Sequence, residues 1–233
     1  MKQRKNSLTL GISLGLCSML GSVAQAQTYD ATADFNPGTY ASNPNGVWRY
    51  GYTTLGGSFI QHTDSGTFGG QLQYWRTDIG SGAPVFEKNF GGSPLFGIQP
   101  GQIALHGGPN GEFGLLRFTA PSAGNYNLAT SYFTGDFGNT DIYLLHNGNV
   151  VSSDPSTTGG GSFSLPSFFL GAGDTLDVAV GIGGDTYFSD TTPINHTITL
   201  ASTSAPEPGT LGLLALGIMG GGILSRRKVM VSK

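Results

Sequence analysis

The sequence predicts an all-β fold, an antiparallel β-sandwich of jelly-roll-like type, flanked by an N-terminal signal helix and a C-terminal short transmembrane helix. Three observations carry the sandwich. Apolar residues between the two ends recur with period two rather than 3.6. Turn residues interrupt these runs at short intervals. No helical period lies between the runs to act as a crossover, so neighbouring strands are expected to pair antiparallel.

The strands follow in order. Trp48, Tyr50 and Tyr52 share one parity, with Arg49 on the other. Leu116 and Phe118 alternate with Leu115, Arg117 and Thr119. Ile142, Leu144 and His146 alternate with Asp141, Tyr143 and Leu145. Leu176, Val178, Val180 and Ile182 alternate with Thr175, Asp177, Ala179 and Gly181. Ile194, His196, Ile198 and Leu200 alternate with Asn195, Thr197 and Thr199. The first set of each group is expected to face inward. Turns fall at residues 120–124, 146–149 and 171–174, and Asn147-Gly148 predicts a two-residue hairpin because both residues tolerate positive φ.

The ends are of another kind. Lys2, Arg4 and Lys5 precede an apolar run over residues 8–23 that closes on Ala24-Gln25-Ala26. Charged start, apolar middle and small-x-small exit make a secretory signal over residues 1–26, cut after Ala26 to leave Gln27 first. Its expected partners are the Sec machinery and signal peptidase. The single cysteine, Cys17, lies in this segment. The mature chain is therefore expected to lack disulfides, thiolate metal sites and a cysteine nucleophile. At the other end residues 209–224 are apolar apart from glycine and threonine, and Arg226, Arg227 and Lys228 follow. Sixteen residues of helix span about 24 Å, slightly less than a bilayer core of about 30 Å. The basic cluster is expected to stay cytoplasmic, with the central domain on the other side.

Pro206-Glu207-Pro208, the short apolar helix and the basic cluster together resemble the PEP-CTERM sorting signal. The resemblance implies recognition by an exosortase-type processing enzyme, cleavage near Pro206-Glu207-Pro208 and only transient anchoring in the inner membrane. It also implies delivery to the cell surface or the extracellular biofilm matrix of a Gram-negative-type bacterium. The segments divide as 1–26 signal, 27–204 sandwich and 205–233 sorting tail. Residues 29–35 and 43–48, with those at 105–110, 116–121 and 173–177, resemble a sandwich domain frequent in exported PEP-CTERM proteins, and more generally carbohydrate-binding jelly rolls.

Composition narrows the function. Glycine makes up 39 of 233 residues and only 11% are charged. Three of the eleven Lys and Arg are in the signal and four in the tail, leaving Arg49, Arg76, Lys88 and Arg117 against thirteen acids, a central charge of −9. Nucleic acid is not an expected partner, since phosphate contacts need clustered cations.

Four candidate chemistries remain. Asp174, Asp177, Asp185 and Asp190 gather late in the chain and could supply oxygens to a structural calcium. Trp75 shares parity with Gln73 and Thr77, opposite Leu72 and Tyr74, and is expected to present an exposed ring to a sugar face. Trp48 and Tyr50 are further ring candidates, although a core face is the favoured reading of their parity. His106 precedes a Gly-Gly-Pro-Asn-Gly loop with Glu112 close behind, a setting for turn anchoring or for a site. Catalytic residues are not expected. The hydrolase-like Gly11-Ile12-Ser13-Leu14-Gly15 lies in the signal, and Glu87 and Glu112 have no spacing partner. The reading is an exported, non-catalytic surface or matrix protein whose sandwich binds or scaffolds exopolysaccharide. Its alternatives are a secreted glycan-active hydrolase and a purely structural surface protein without a small ligand.

Overall fold

The computed structural model describes residues 26–35 and 42–201. The signal segment with Ala24, the span 209–224, Pro206-Glu207-Pro208 and Arg226, Arg227 and Lys228 lie outside the described residues. Among those described, no helix is long and apolar enough to cross a membrane. Residues 26–201 form one compact unit.

The unit is an antiparallel sandwich. Its strands are β1 (Gln27–Asp30), β2 (Trp48–Thr53), β3 (Ile60–Gln61), β4 (Asp64–Phe68), β5 (Leu72–Gly80), β6 (Ala83–Asn89) and β7 (Ile103–His106). They continue as β8 (Phe113–Thr119), β9 (Gly124–Tyr132), β10 (Thr140–His146), β11 (Asn149–Thr157), β12 (Gly161–Leu170), β13 (Thr175–Val180) and β14 (Thr192–Leu200). One helical turn, α1 (Ala31–Asp34), follows β1 and is capped by Asp30, whose carboxylate accepts from the amides of Thr32 and Ala33. The first sheet has the order β12-β9-β14-β7-β6-β5-β4, and β1 lies end to end with β7 along β14. The second has the order β11-β10-β13-β8-β2-β3. The chain changes sheet between β1 and β2, β3 and β4, β7 and β8, β8 and β9, β9 and β10, and at each step from β11 to β14.

The alternation read from the sequence packs as expected in four strands. Leu116, Phe118, Ile142, Leu144, Leu176, Val178, Val180, Ile194 and Ile198 meet in one core between the sheets. Asn147 and Gly148 take φ values of 49° and 80°, and His146 pairs Asn149, so the tight hairpin forms where Asn-Gly allows it. Trp48 and Tyr50 lie on the core face and are 1% exposed. The Trp48 indole N–H donates to Asp34 at 2.8 Å, which ties α1 to the second sheet. Tyr50 stacks on Phe86 of the first sheet with centroids 4.2 Å apart, and Phe35 closes edge-on against both. Lys88 reaches inward beneath α1 and donates to the carbonyls of Thr32 and Phe35 at 2.6 and 2.7 Å.

His196 sits inside this core, 1% exposed, with its Nδ1 2.8 Å from the Thr130 hydroxyl. Burial pulls its pKa down to about 3, so it is a neutral core residue at ordinary pH.

The outer face of the second sheet is also covered. Leu115, Leu145 and Ala179 are buried there beside Phe59 and Tyr143. Arg117 lies over the Phe59 ring at 4.4 Å and grips Asp177 with two hydrogen bonds of 2.7 and 2.8 Å. Asp177 has no exposed surface. Removing the guanidinium would strand a buried charge, which costs more than the pair itself contributes. Arg117→Ala is therefore expected to lower unfolding free energy by about 3–5 kcal/mol. Chemical denaturation should show most of that loss recovered in Arg117→Met/Asp177→Leu, where both charges are gone.

Candidate ligand-binding groove

The first sheet turns one face to the core and floors a groove with the other. On β6, Phe86 points into the core, so Val85 and Glu87 point out. On β5, Trp75 packs against the main core opposite Phe86, so Tyr74 and Arg76 point out beside Glu87 and Val85. On β7, Ile103 and Leu105 face in and His106 faces out. The resulting groove holds about 680 Å³.

Two loops raise its walls. Residues 90–101 fold back over the outer face, where Ile98 and Leu95 pack against Leu72 and Ala104. Asn89, fully buried, holds that flap by donating to the carbonyls of Ser93 and Ile98, both at 2.8 Å. The flap carries Phe96, which meets Phe68 of β4 at 5.6 Å. The opposite wall is Tyr187 and Phe188, whose rings lie 4.4 Å apart. The Tyr187 hydroxyl donates to Ser81 at 2.9 Å and its ring meets His106 edge-on. Phe188 is 64% exposed, so its ring is open to a ligand.

The polar groups in the groove are mostly acidic. Arg76 lies over Tyr74 at 4.6 Å and donates to Asp64 at 2.8 Å, with Asp78 at 4.0 Å. Its charge is therefore already matched. Glu87 is raised to about 7, chiefly by burial and then by Asp136 across the groove, with Arg76 opposing. At neutral pH its carboxyl can both donate and accept. His106 is pulled below its ordinary pKa by burial and donates through Nδ1 to the Gly107 carbonyl at 2.6 Å. It thus anchors its turn and also lines the groove. Glu112 does neither chemistry here. It accepts from the backbone and side-chain nitrogens of Asn110.

Several sequence expectations need correction. Trp75 is not an exposed platform, because its side of β5 is the core side. Gln73 on that same side is 3% exposed. Trp48 and Tyr50 are buried between the sheets and have no ring face to offer a sugar. The four late aspartates do not converge. Asp174 and Asp177 are engaged elsewhere: Asp174 closes the turn before β13, accepting from Asn147 at 3.0 Å and Gly171 at 2.8 Å, while Asp177 belongs to Arg117. The Asn147 and Gly171 hydrogen bonds hold Asp174 below its usual range. Asp185 and Asp190 lie beyond the other end of β13, where Asp136 and Asp141 are their neighbours. Sequence reasoning missed Tyr74, Arg76, Glu87, Asp136, Tyr187 and Phe188. Only the alternation about Phe86 hinted at Glu87, and it needs the sheet order to be used.

The groove's setting can be compared with known proteins. Residues 204–228 match the PEP-CTERM protein-sorting motif, so the chain carries the sorting signal of an exported protein. No curated protein sequence matches the chain. Among solved structures, a family 35 carbohydrate-binding module from Clostridium thermocellum is 17% identical, over 56% of this chain and 89% of that one, with a TM-score of 0.30. A CBM51 module from Clostridium perfringens GH95, in complex with methyl-galactose, is 12% identical over 64% and 99%, with a TM-score of 0.33. Pika GITRL is 18% identical over 38% and 78%, with a TM-score of 0.26. Likenesses this loose assign no ligand.

The raised carboxyl of Glu87 sets a pH dependence. Its folded value lies above its unfolded one, so the folded state bears an electrostatic cost that is complete above about pH 7. The cost fades as pH falls and is gone below the unfolded pKa of about 4.3. Glu87→Gln should therefore melt above the parent at pH 8 and together with it at pH 4. Thermal melts at the two pH values check this.

Proposed function

We propose that this is an exported cell-surface or matrix protein whose sandwich binds extracellular polysaccharide in the groove on the outer face of the first sheet. The observation that carries the reading is the pairing of aromatic walls with hydrogen-bonding carboxyls in one concavity. Sugar rings have apolar C–H faces that stack on aromatics and hydroxyl edges that need donors and acceptors. Tyr74, Tyr187, Phe188 and Phe96 supply the first, and Glu87 and Asp136 the second. The acidic groove favours neutral over anionic chains. Export through the Sec machinery and signal peptidase, followed by processing by an exosortase-type enzyme near Pro206-Glu207-Pro208, would bring the domain to the matrix. Such a protein acts by binding and scaffolding, without catalysis.

Affinity electrophoresis in the host's own extracted polysaccharide tests this. Wild type should be retarded, and Tyr187→Phe/Phe188→Ala should bind at least about tenfold more weakly, a loss of about 1.4 kcal/mol. Phe169→Ala, an exposed ring on the far edge strand β12, should bind as wild type does. Equal mobility with every extracted polymer would favour a purely structural surface protein.

One observation favours a second reading, a glycan-active hydrolase. Glu87 is raised to about 7 and faces Asp136, an arrangement of acid and carboxylate that glycoside hydrolysis uses. Release of reducing ends from the same polymer, abolished in Glu87→Gln and Asp136→Asn alike, would establish it.

A further inference from the structure

A second feature lies behind the groove wall. Asp190 has no exposed surface, and neither carboxylate oxygen has a hydrogen-bond partner. A buried carboxylate left in that condition is costly unless a proton or a cation accompanies it. Three more carboxylates act on it electrostatically: Asp185, Asp141 and Asp136. Among the described residues no Lys or Arg forms an ion pair with any of the four. Three of the domain's four cations are engaged elsewhere: Arg117 by Asp177, Arg76 by Asp64, and Lys88 by the carbonyls of Thr32 and Phe35.

The backbone is shaped around this point. A Cβ on Gly138 would overlap Asp190 Oδ1 and the Ser189 carbonyl, so glycine is what lets the two loops meet. Gly138 donates its N–H to the Ser189 carbonyl at 2.8 Å, and Thr191 donates its hydroxyl to Asp136 at 3.1 Å. Gly183 donates its N–H to Asp141 at 2.9 Å. Asp136 and Asp141 are thus each tied by a hydrogen bond to the segment 181–191 that carries the unpartnered Asp190.

We propose that Asp190 is the anchor of a calcium site formed between residues 133–141 and 181–191, completed by Asp136, Asp141 and Asp185. No three acidic or histidine side chains among the described residues stand ready-made around one point, so binding draws the outer carboxylates inward. Calcium suits this, because it takes six to eight oxygens in irregular geometry, whereas magnesium demands a tight octahedron and zinc prefers nitrogen and sulfur. The site shares the 181–191 loop with Tyr187 and Phe188, so the ion would brace that wall of the groove.

Calorimetric titration of calcium chloride into the full chain, purified in detergent and stripped with EGTA, tests the proposal. One ion per chain should bind with a Kd of about 0.1–1 mM, the range of extracellular modules. Calcium at 10 mM should raise the melting temperature, and magnesium should not. Asp190→Asn should abolish both effects, yet melt at or above the parent in EGTA, because its buried charge is gone. Asp185→Asn, changed at an exposed position, should bind about tenfold more weakly. Asp174→Asn, at the other end of β13, should bind normally. No heat and no melting shift at 10 mM calcium would overturn the site, as would undiminished binding by Asp190→Asn. In that case Asp190 is a buried, protonated acid. Neither result depends on whether the groove takes a glycan.

Discussion

The stack of Tyr50 on Phe86 is the contact on which the rest of this structure depends. It joins the two sheets at the centre of the core, with Phe35 closing edge-on against both rings. Once Phe86 points inward, period two leaves no choice for its neighbours. Val85 and Glu87 must point outward, and pairing then places Tyr74 beside Glu87 and Arg76 beside Val85. A slip of one residue in β6 would bury Glu87 and expose Phe86. The core therefore selects the composition of the groove floor, although no core residue touches it.

The same logic explains what could be read from the sequence. β13 and β14 each carry three apolar residues of one parity, β8 and β10 two, and all four turn that parity between the sheets. The Asn147-Gly148 turn was legible because its backbone geometry admits few residues. β5 was not legible, because its outer face is covered at one end and open at the other. Trp75 packs into the main core while Leu72, on the opposite face, lies beneath the 90–101 flap, so apolar residues mark both sides of the strand. The flap itself carries no periodic signal and is held by one asparagine, Asn89. The acids followed another rule. Closeness in sequence suggested Asp174, Asp177, Asp185 and Asp190 as one group, but an extended six-residue strand such as β13 sets its two ends about 20 Å apart.

Charge then distinguishes the regions of the domain. Where a carboxylate is buried for structure, it has a partner: Asp177 has Arg117, and Glu112 has Asn110. Around the groove and behind its wall the carboxylates outnumber the cations, and Glu87 and Asp190 are both raised to about 7. That imbalance is costly to the isolated domain, and natural proteins commonly keep such costs where a ligand or ion relieves them. The sorting motif at residues 204–228 marks the chain as an exported protein.

In the proposed function the outer face of β5, β6 and β7, with the wall at residues 187–191, is the ligand-binding surface. Hydrogen–deuterium exchange with and without the host's extracted polysaccharide tests it most directly. Exchange should slow in peptides covering 72–76, 83–89, 103–106 and 187–191, with the second sheet unchanged. Unaltered exchange throughout, or slowing confined to β10, β11 and β13, would contradict it.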